Sequence, residues 1–148
     1  MKKLLIAGVT CLLAIGCFFY ISCVHYTEAY QAGITWNRIT GELRLDTHAG
    51  IHITPPWVIA SKVDTRPIRV CVTSAGQGFN CKLVQFEVGA WREFVAVQGF
   101  HYWWLANRIS INMGYSDEYR GMKDLLRGYA YSTKQYSFIR TLREYPAP

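Results

Sequence analysis

The sequence predicts an α+β protein: an N-terminal transmembrane helix, then a small antiparallel-sheet domain, then C-terminal helices. Three observations carry the prediction. The run from Leu4 to Val24 contains no charge, the segments from Tyr30 to Glu87 alternate apolar and polar side chains, and the residues after Ser116 repeat their apolar positions at helical spacing. With 148 residues, 51% of them hydrophobic and 15% aromatic, the chain holds enough apolar surface for one compact domain and too much for a disordered one. The expected units are 1–24, 25–115 and 116–148.

The uncharged run comes first. At about 1.5 Å per residue it reaches roughly 30 Å, the thickness of a bilayer's hydrocarbon, and it exceeds the core of about 7 to 15 residues usual in a secretory signal. Lys2 and Lys3 precede it, whereas only Arg38 follows within about 15 residues, so the N-terminus is expected in the cytoplasm. The domain from His25 onward then lies outside, in the periplasm if the host is a bacterium. Phe18, Phe19, Tyr20, Tyr26 and Tyr30 suit the aromatic belt of the outer surface. Two alternatives fit the same residues: a cleaved secretory signal, and a lipoprotein box in LAIGC that would lipidate Cys17. Either would give a secreted or lipidated extracytoplasmic ligand-binding module.

The domain is strand-like to about Glu87. GITWNRI, GELRLDT, IHITPPW, KVDTRPIRVCV and FNCKLVQFEV alternate in polarity and are separated by Gly, Pro and Asn, as short antiparallel strands are. In DTHAGIHITPPW, Gly50 permits a reversal through positive φ, while Pro55 and Pro56 end ladder pairing by removing two N–H donors. Cys71 and Cys81 bound CVTSAGQGFNC, whose Gly76 and Gly78 predict a hairpin turn between strands near Ile68–Thr73 and Phe79–Glu87. They are the candidate disulfide, with register and compartment deciding whether they oxidise. Cys11, Cys17 and Cys23, inside the span, act as small hydrophobes.

Helical signals take over near Gly89, first in AWREFVAVQGF and then in the aromatic HYWWLANRI. Ser116, with Asp117 and Glu118, is placed to begin a helix whose Tyr119, Met122, Leu125, Leu126 and Tyr129 share a face. Ser132-Thr133-Lys134-Gln135 has the form of a capping box, flanked by Tyr131 and Tyr136 as a staple. A second helix is expected from it, with Phe138, Ile139, Leu142 and Tyr145 as its stripe and Pro146 as its stop.

Few chemistries remain open. Without Lys2 and Lys3, fourteen basic residues face ten acidic ones with no basic stripe, so no nucleic-acid partner is expected. No nucleophile elbow, phosphate loop, zinc-protease motif or dinucleotide fingerprint is present, and no catalytic, cofactor or metal residue is assigned. His48 and His52 stand four apart, but extended backbone around Gly50 is expected to point them in directions that do not converge. Asp64 and Arg66, or Arg66 and Glu42, read as structural ion pairs.

The run from Ala32 to Arg69 resembles the opening of the SPFH (Band 7) domain of stomatins, prohibitins, flotillins and HflK/HflC-like proteins. Gly33, Ile34 and Arg38 match the family's first strand after its membrane anchor, and Gly41 its glycine before a variable connector. Ala49, Gly50, Ile51, His52, Ile53 and either Pro55 or Pro56 match its turn, with Ala49 where the family has proline; Val63, Asp64, Thr65 and Arg66 match its following strand. These 148 residues hold no long coiled coil of the kind that normally follows the domain, so the resemblance is to a short form. It implies a non-enzymatic scaffold that self-associates on a membrane and organises a patch of it, or regulates a membrane protein or protease. The partners implied are the lipid bilayer and further copies of the chain. Trp57, beside the prolines, and Phe100, Tyr102, Trp103 and Trp104, too many rings for one helix stripe, are the expected membrane or subunit contacts.

Overall fold

The uncharged run forms α1 (Lys2–Cys23) in the computed structural model, which describes residues 2–74, 78–103, 108–111 and 118–145. This helix is long and apolar enough to cross a membrane or serve as a signal sequence, and its side chains from Ile6 to Ile21 are exposed. It passes without a connecting residue into β1 (Val24–Thr27).

Three small antiparallel layers follow. β2 (Gln31–Asn37) is the centre of a sheet with β3 (Leu43–Asp46) on one side and β5 (Val58–Asp64) on the other. β4 (Gly50–Ile53) leaves that sheet to pair with β1, giving a two-stranded ribbon beside the helix exit. β6 (Ile68–Ser74) and β7 (Gly78–Phe86) form the predicted hairpin. Gly50 sits at φ 127, the positive-φ reversal expected of it, and the Val58 amide donates to the Pro55 carbonyl to close the Pro-Pro turn.

After a 3-10 turn at Val88–Ala90 comes α2 (Trp91–Gln98), as its periodicity predicts; its Phe94 and Val95 face inward. α3 (Glu118–Ala130) buries Met122, Leu125 and Leu126 against β5, β6 and β7, while Asp124 and Arg127 pair one turn apart at 3.0 Å on its outer side. Ser116, the expected cap, lies outside the described residues. The core is shared among the layers: Ile34 and Val63 from the β2 sheet, Val70 and Phe86 from the hairpin, Phe94 from α2 and Leu126 from α3.

Two expected helices are strands. Residues 101–103 form β8 (His101–Trp103), paired with β9 (Arg108–Ser110), and three large rings in sequence suit a strand's alternating faces better than a helix's single stripe. The second C-terminal helix is β10 (Ile139–Tyr145), the outer strand beside β7. The C-terminal segment is therefore a helix plus a strand of the hairpin's sheet, in place of a helical pair. Ser132 and its neighbours make a turn in which the Ser132 hydroxyl accepts from the Lys134 amide at 3.2 Å, and Tyr131 Oη donates to the Asn80 carbonyl at 2.7 Å, tying the turn to β7. From there the Glu87 amide donates to the Phe138 carbonyl at 2.9 Å, and the chain runs back along β7.

Candidate functional site

The place where α1 meets the domain is built by β1 and β4. The Thr54 amide donates to the Cys23 carbonyl at 2.8 Å, so the last turn of the helix is bonded to the end of β4 as well as continuous with β1. Val24 is opposite Ile53 and Tyr26 opposite Ile51, and residues opposite one another in an antiparallel pair share a face. That face is apolar and open: Ile51 is 73% and Ile53 80% exposed, and Tyr26 is exposed beside them. In the loops that flank β2 and β5 the Arg38 amide donates to the Trp57 carbonyl at 3.0 Å, and Ile39 and Trp57 are both exposed, Trp57 at 44%. Sequence alternation marks Ile51 and Ile53 as one face of a strand; only the fold shows that this face is the outer one.

The opposite face of the ribbon carries the histidines. His25 on β1 is the Cα partner of His52 on β4, and their rings stack at 5.2 Å and 12°. His52 Nδ1 lies 2.9 Å from one Asp46 oxygen, and His48 Nδ1 lies 3.2 Å from the other. The expectation that His48 and His52 do not converge is therefore corrected. Gly50 reverses the chain between them, and both rings reach the same carboxylate. Asp46 is held below the usual carboxylate range, first by the His48 amide, which donates to it at 3.0 Å, and then by the His48 ring and the charges of both histidines. Burial, followed by the neighbouring His52, pushes the His25 imidazole below its ordinary value. Among the described residues no group of three or more ligating side chains is arranged to hold a metal ion.

The other expected contacts divide. Phe100 and Tyr102 pack on Trp36 of β2 at 5.3 and 5.4 Å, so these two rings are used within the chain. Trp103 is exposed and meets His101 edge-on at 4.6 Å; Trp104 lies outside the described residues. Cys71 and Cys81 are Cα partners 4.1 Å apart and are joined as a disulfide. The bond lies on the outer face of the β6–β7 hairpin, opposite the face where Val70 and Val84 enter the core, so it closes the hairpin without displacing core packing. No family model, curated protein or solved structure matches this chain.

Proposed function

We propose that this protein is a membrane-anchored scaffold of SPFH (Band 7) type that lies on the bilayer surface, associates with further copies of itself, and organises a membrane patch or restrains a membrane protein or protease without turning over a substrate. The observation that carries the reading is the junction of α1 with the ribbon. A membrane helix that enters a strand with no linker, and is bonded to the next strand at Thr54, leaves its domain little freedom to move away from the lipid. The ribbon residues this brings to the surface are Tyr26, Ile51 and Ile53, with the exposed Ile39 and Trp57 as candidates to join them, apolar and interfacial side chains whose exposure to water would otherwise go uncompensated. The Cys71–Cys81 disulfide supports an extracytoplasmic domain, because such bonds persist in oxidising compartments, and it does so independently of the lysines that set the orientation of α1. Among the described residues of the aromatic segment, Trp103 is exposed and could serve a contact between copies.

The test is the position of the edge relative to lipid. With Cys11, Cys17 and Cys23 replaced by alanine, nitroxide labels at Ile51→Cys, Ile53→Cys and Lys134→Cys are compared in full-length protein in liposomes. Labels at 51 and 53 should be relaxed by oxygen more than by a water-soluble nickel chelate, and the label at 134 the reverse. Three water-like labels would lift the domain off the membrane and remove the reading. Sequencing the mature N-terminus separates the alternatives: Met1 retained in the membrane fraction fits the anchor, whereas an end at Cys17 fits a lipidated module.

A further inference from the structure

The polar face of the β1–β4 ribbon is arranged around one ring. His52 Nδ1 faces Asp46 Oδ2 at 2.9 Å, and its Nε2 faces the His48 carbonyl oxygen at 2.9 Å. Both partners are acceptors. Each contact is a hydrogen bond only while that nitrogen carries a proton, so the pair is complete only in the doubly protonated, positively charged ring. Flat against this ring lies His25, 5.2 Å away and 12° from parallel.

His25 is faced from three elements: by His52 on β4, by Asp46 on β3 and by Lys62 on β5, with His48 bound to the far oxygen of Asp46. A proton on His25 would meet His52 and Lys62 with like charge, and Asp46, the one opposing group among these, is already shared by two histidines. The ribbon that must bear this repulsion is two strands of four residues each, with one apolar face open, and a two-stranded pair of that size is marginal on its own.

We propose that the stacked His25–His52 pair is an acid-sensitive latch: protonation of His25 within its stack on His52 opens the β1–β4 ribbon at the point where the domain is bonded to its membrane helix. The latch needs only the ribbon and its junction with α1, so it stands whether or not the protein is a scaffold. Its direction follows from His25. Burial first, then His52, holds the folded-state value below the ordinary 6.5, so the stability contributed by neutral His25 is complete above that pH and is lost as pH falls through the lower folded value. Asp46, held below its own ordinary value of 3.8, keeps its charge across this window, so the Asp46–His52 contact persists while His25 charges.

The experiment is amide hydrogen exchange on the full-length protein in zwitterionic nanodiscs at pH 7.5 and 5.0, corrected for intrinsic exchange. Peptides covering 24–27 and 50–53 should lose protection at the lower pH, because the open ribbon binds a proton on His25 more tightly than the closed one, while the β6–β7 hairpin stays protected. His25→Phe keeps a flat ring in the stack and removes the titration, and its ribbon should remain closed at pH 5.0. Equal wild-type protection at both pH values overturns the latch, as does a His25→Phe ribbon that opens as the wild type does. Should His25→Phe disturb the ribbon already at pH 7.5, ring-nitrogen NMR of the wild type decides: loss of the ribbon's amide signals in step with protonation of the His25 ring supports the latch, and a ribbon that stays intact once His25 is protonated overturns it.

Discussion

Asp64 is 1% exposed, and the group that makes its burial tolerable is two residues away. The Arg66 amide donates to one carboxylate oxygen at 2.9 Å, and Nε of the guanidinium reaches both oxygens at 3.1 and 3.0 Å. The same guanidinium lies over Tyr30 at 4.1 Å and over Tyr119 of α3 at 4.9 Å, so one cation joins a buried carboxylate, the β1–β2 turn and a helix. This pair was legible as Val-Asp-Thr-Arg in the sequence; the rings were not, because Tyr30 and Tyr119 are far away in the chain. Arg66→Ala should lower the urea midpoint, and Arg66→Lys should recover only part of it, since an ammonium has neither the planar fork nor the stacking face; full recovery by lysine would reduce the site to a simple charge pair. Gly50 makes a second residue-scale case. A Cβ there would meet nothing within 4 Å, so at φ 127 the penalty is conformational alone. Gly50→Val is expected to cost about 1–3 kcal/mol by equilibrium unfolding, and Gly50→Ala most of the same amount. Wild-type stability in both would show that the turn does not need its glycine.

At the scale of elements, the instructive difference is β10. Phe138, Ile139, Leu142 and Tyr145 are spaced as a helix face, yet the strand reproduces that spacing through a bulge. Thr141 is opposite Val84 and Arg143 opposite Leu83, which leaves Leu142 as the extra residue, exposed and without a place in the ladder. Ile139 and Thr141 thus share the face of Phe86 and Val84, while Arg143 and Tyr145 turn to the outer face over the disulfide, where Arg69 and Arg143 each sit 5.0 Å from the Tyr145 ring. One inserted residue converts a period of two into an apparent period near three and a half, and periodicity alone cannot separate the two. The two readings assign different costs. Phe138 is fully buried among Phe86, Phe94, Tyr129 and Tyr136, so Phe138→Ala should destabilise by about 3–5 kcal/mol, whereas Leu142→Ala should change stability by no more than about 0.5 kcal/mol. A helix stripe would make both substitutions expensive. β2, β3, β4, β6 and β7 were legible because their alternation is broken by Gly, Pro or Asn, and α2 and α3 because helical signals replace it; β5 merges with β6 in the single run KVDTRPIRVCV, and β8 was not legible because three adjacent rings carry no period at all.

For the molecule as a whole, the sequence displayed the long apolar helix, the hairpin and Trp57 as a candidate contact, but not the apolar face of the ribbon or which way it points. Ile51 and Ile53 alternate with His52 as any half-buried strand would, and the choice of outer face is made by β1, which pairs from the opposite side of the chain reversal and offers His25 to His52. The proposed anchor also assigns a compartment to everything that follows it, and the cysteines can report which. Three of the five lie in α1 and two form the hairpin disulfide. With Lys2 and Lys3 favouring a cytoplasmic N-terminus, α1 should deliver the hairpin to an oxidising space while its own thiols stay in hydrocarbon. Protein trapped from cells with acid and then alkylated in denaturant should therefore show three reactive thiols before reduction and all five after it. Five reactive thiols from the start would put the domain in a reducing compartment and reverse the orientation of the helix. The bond should also matter to stability: it closes a loop across ten positions of sequence, and replacing both cysteines with serine is expected to cost about 2–3 kcal/mol, less any part of that entropy the hairpin turn already removes from the unfolded chain. Because the disulfide faces away from the core, that loss should appear in the unfolding midpoint while membrane retention, which the proposed anchor assigns to α1, stays unchanged.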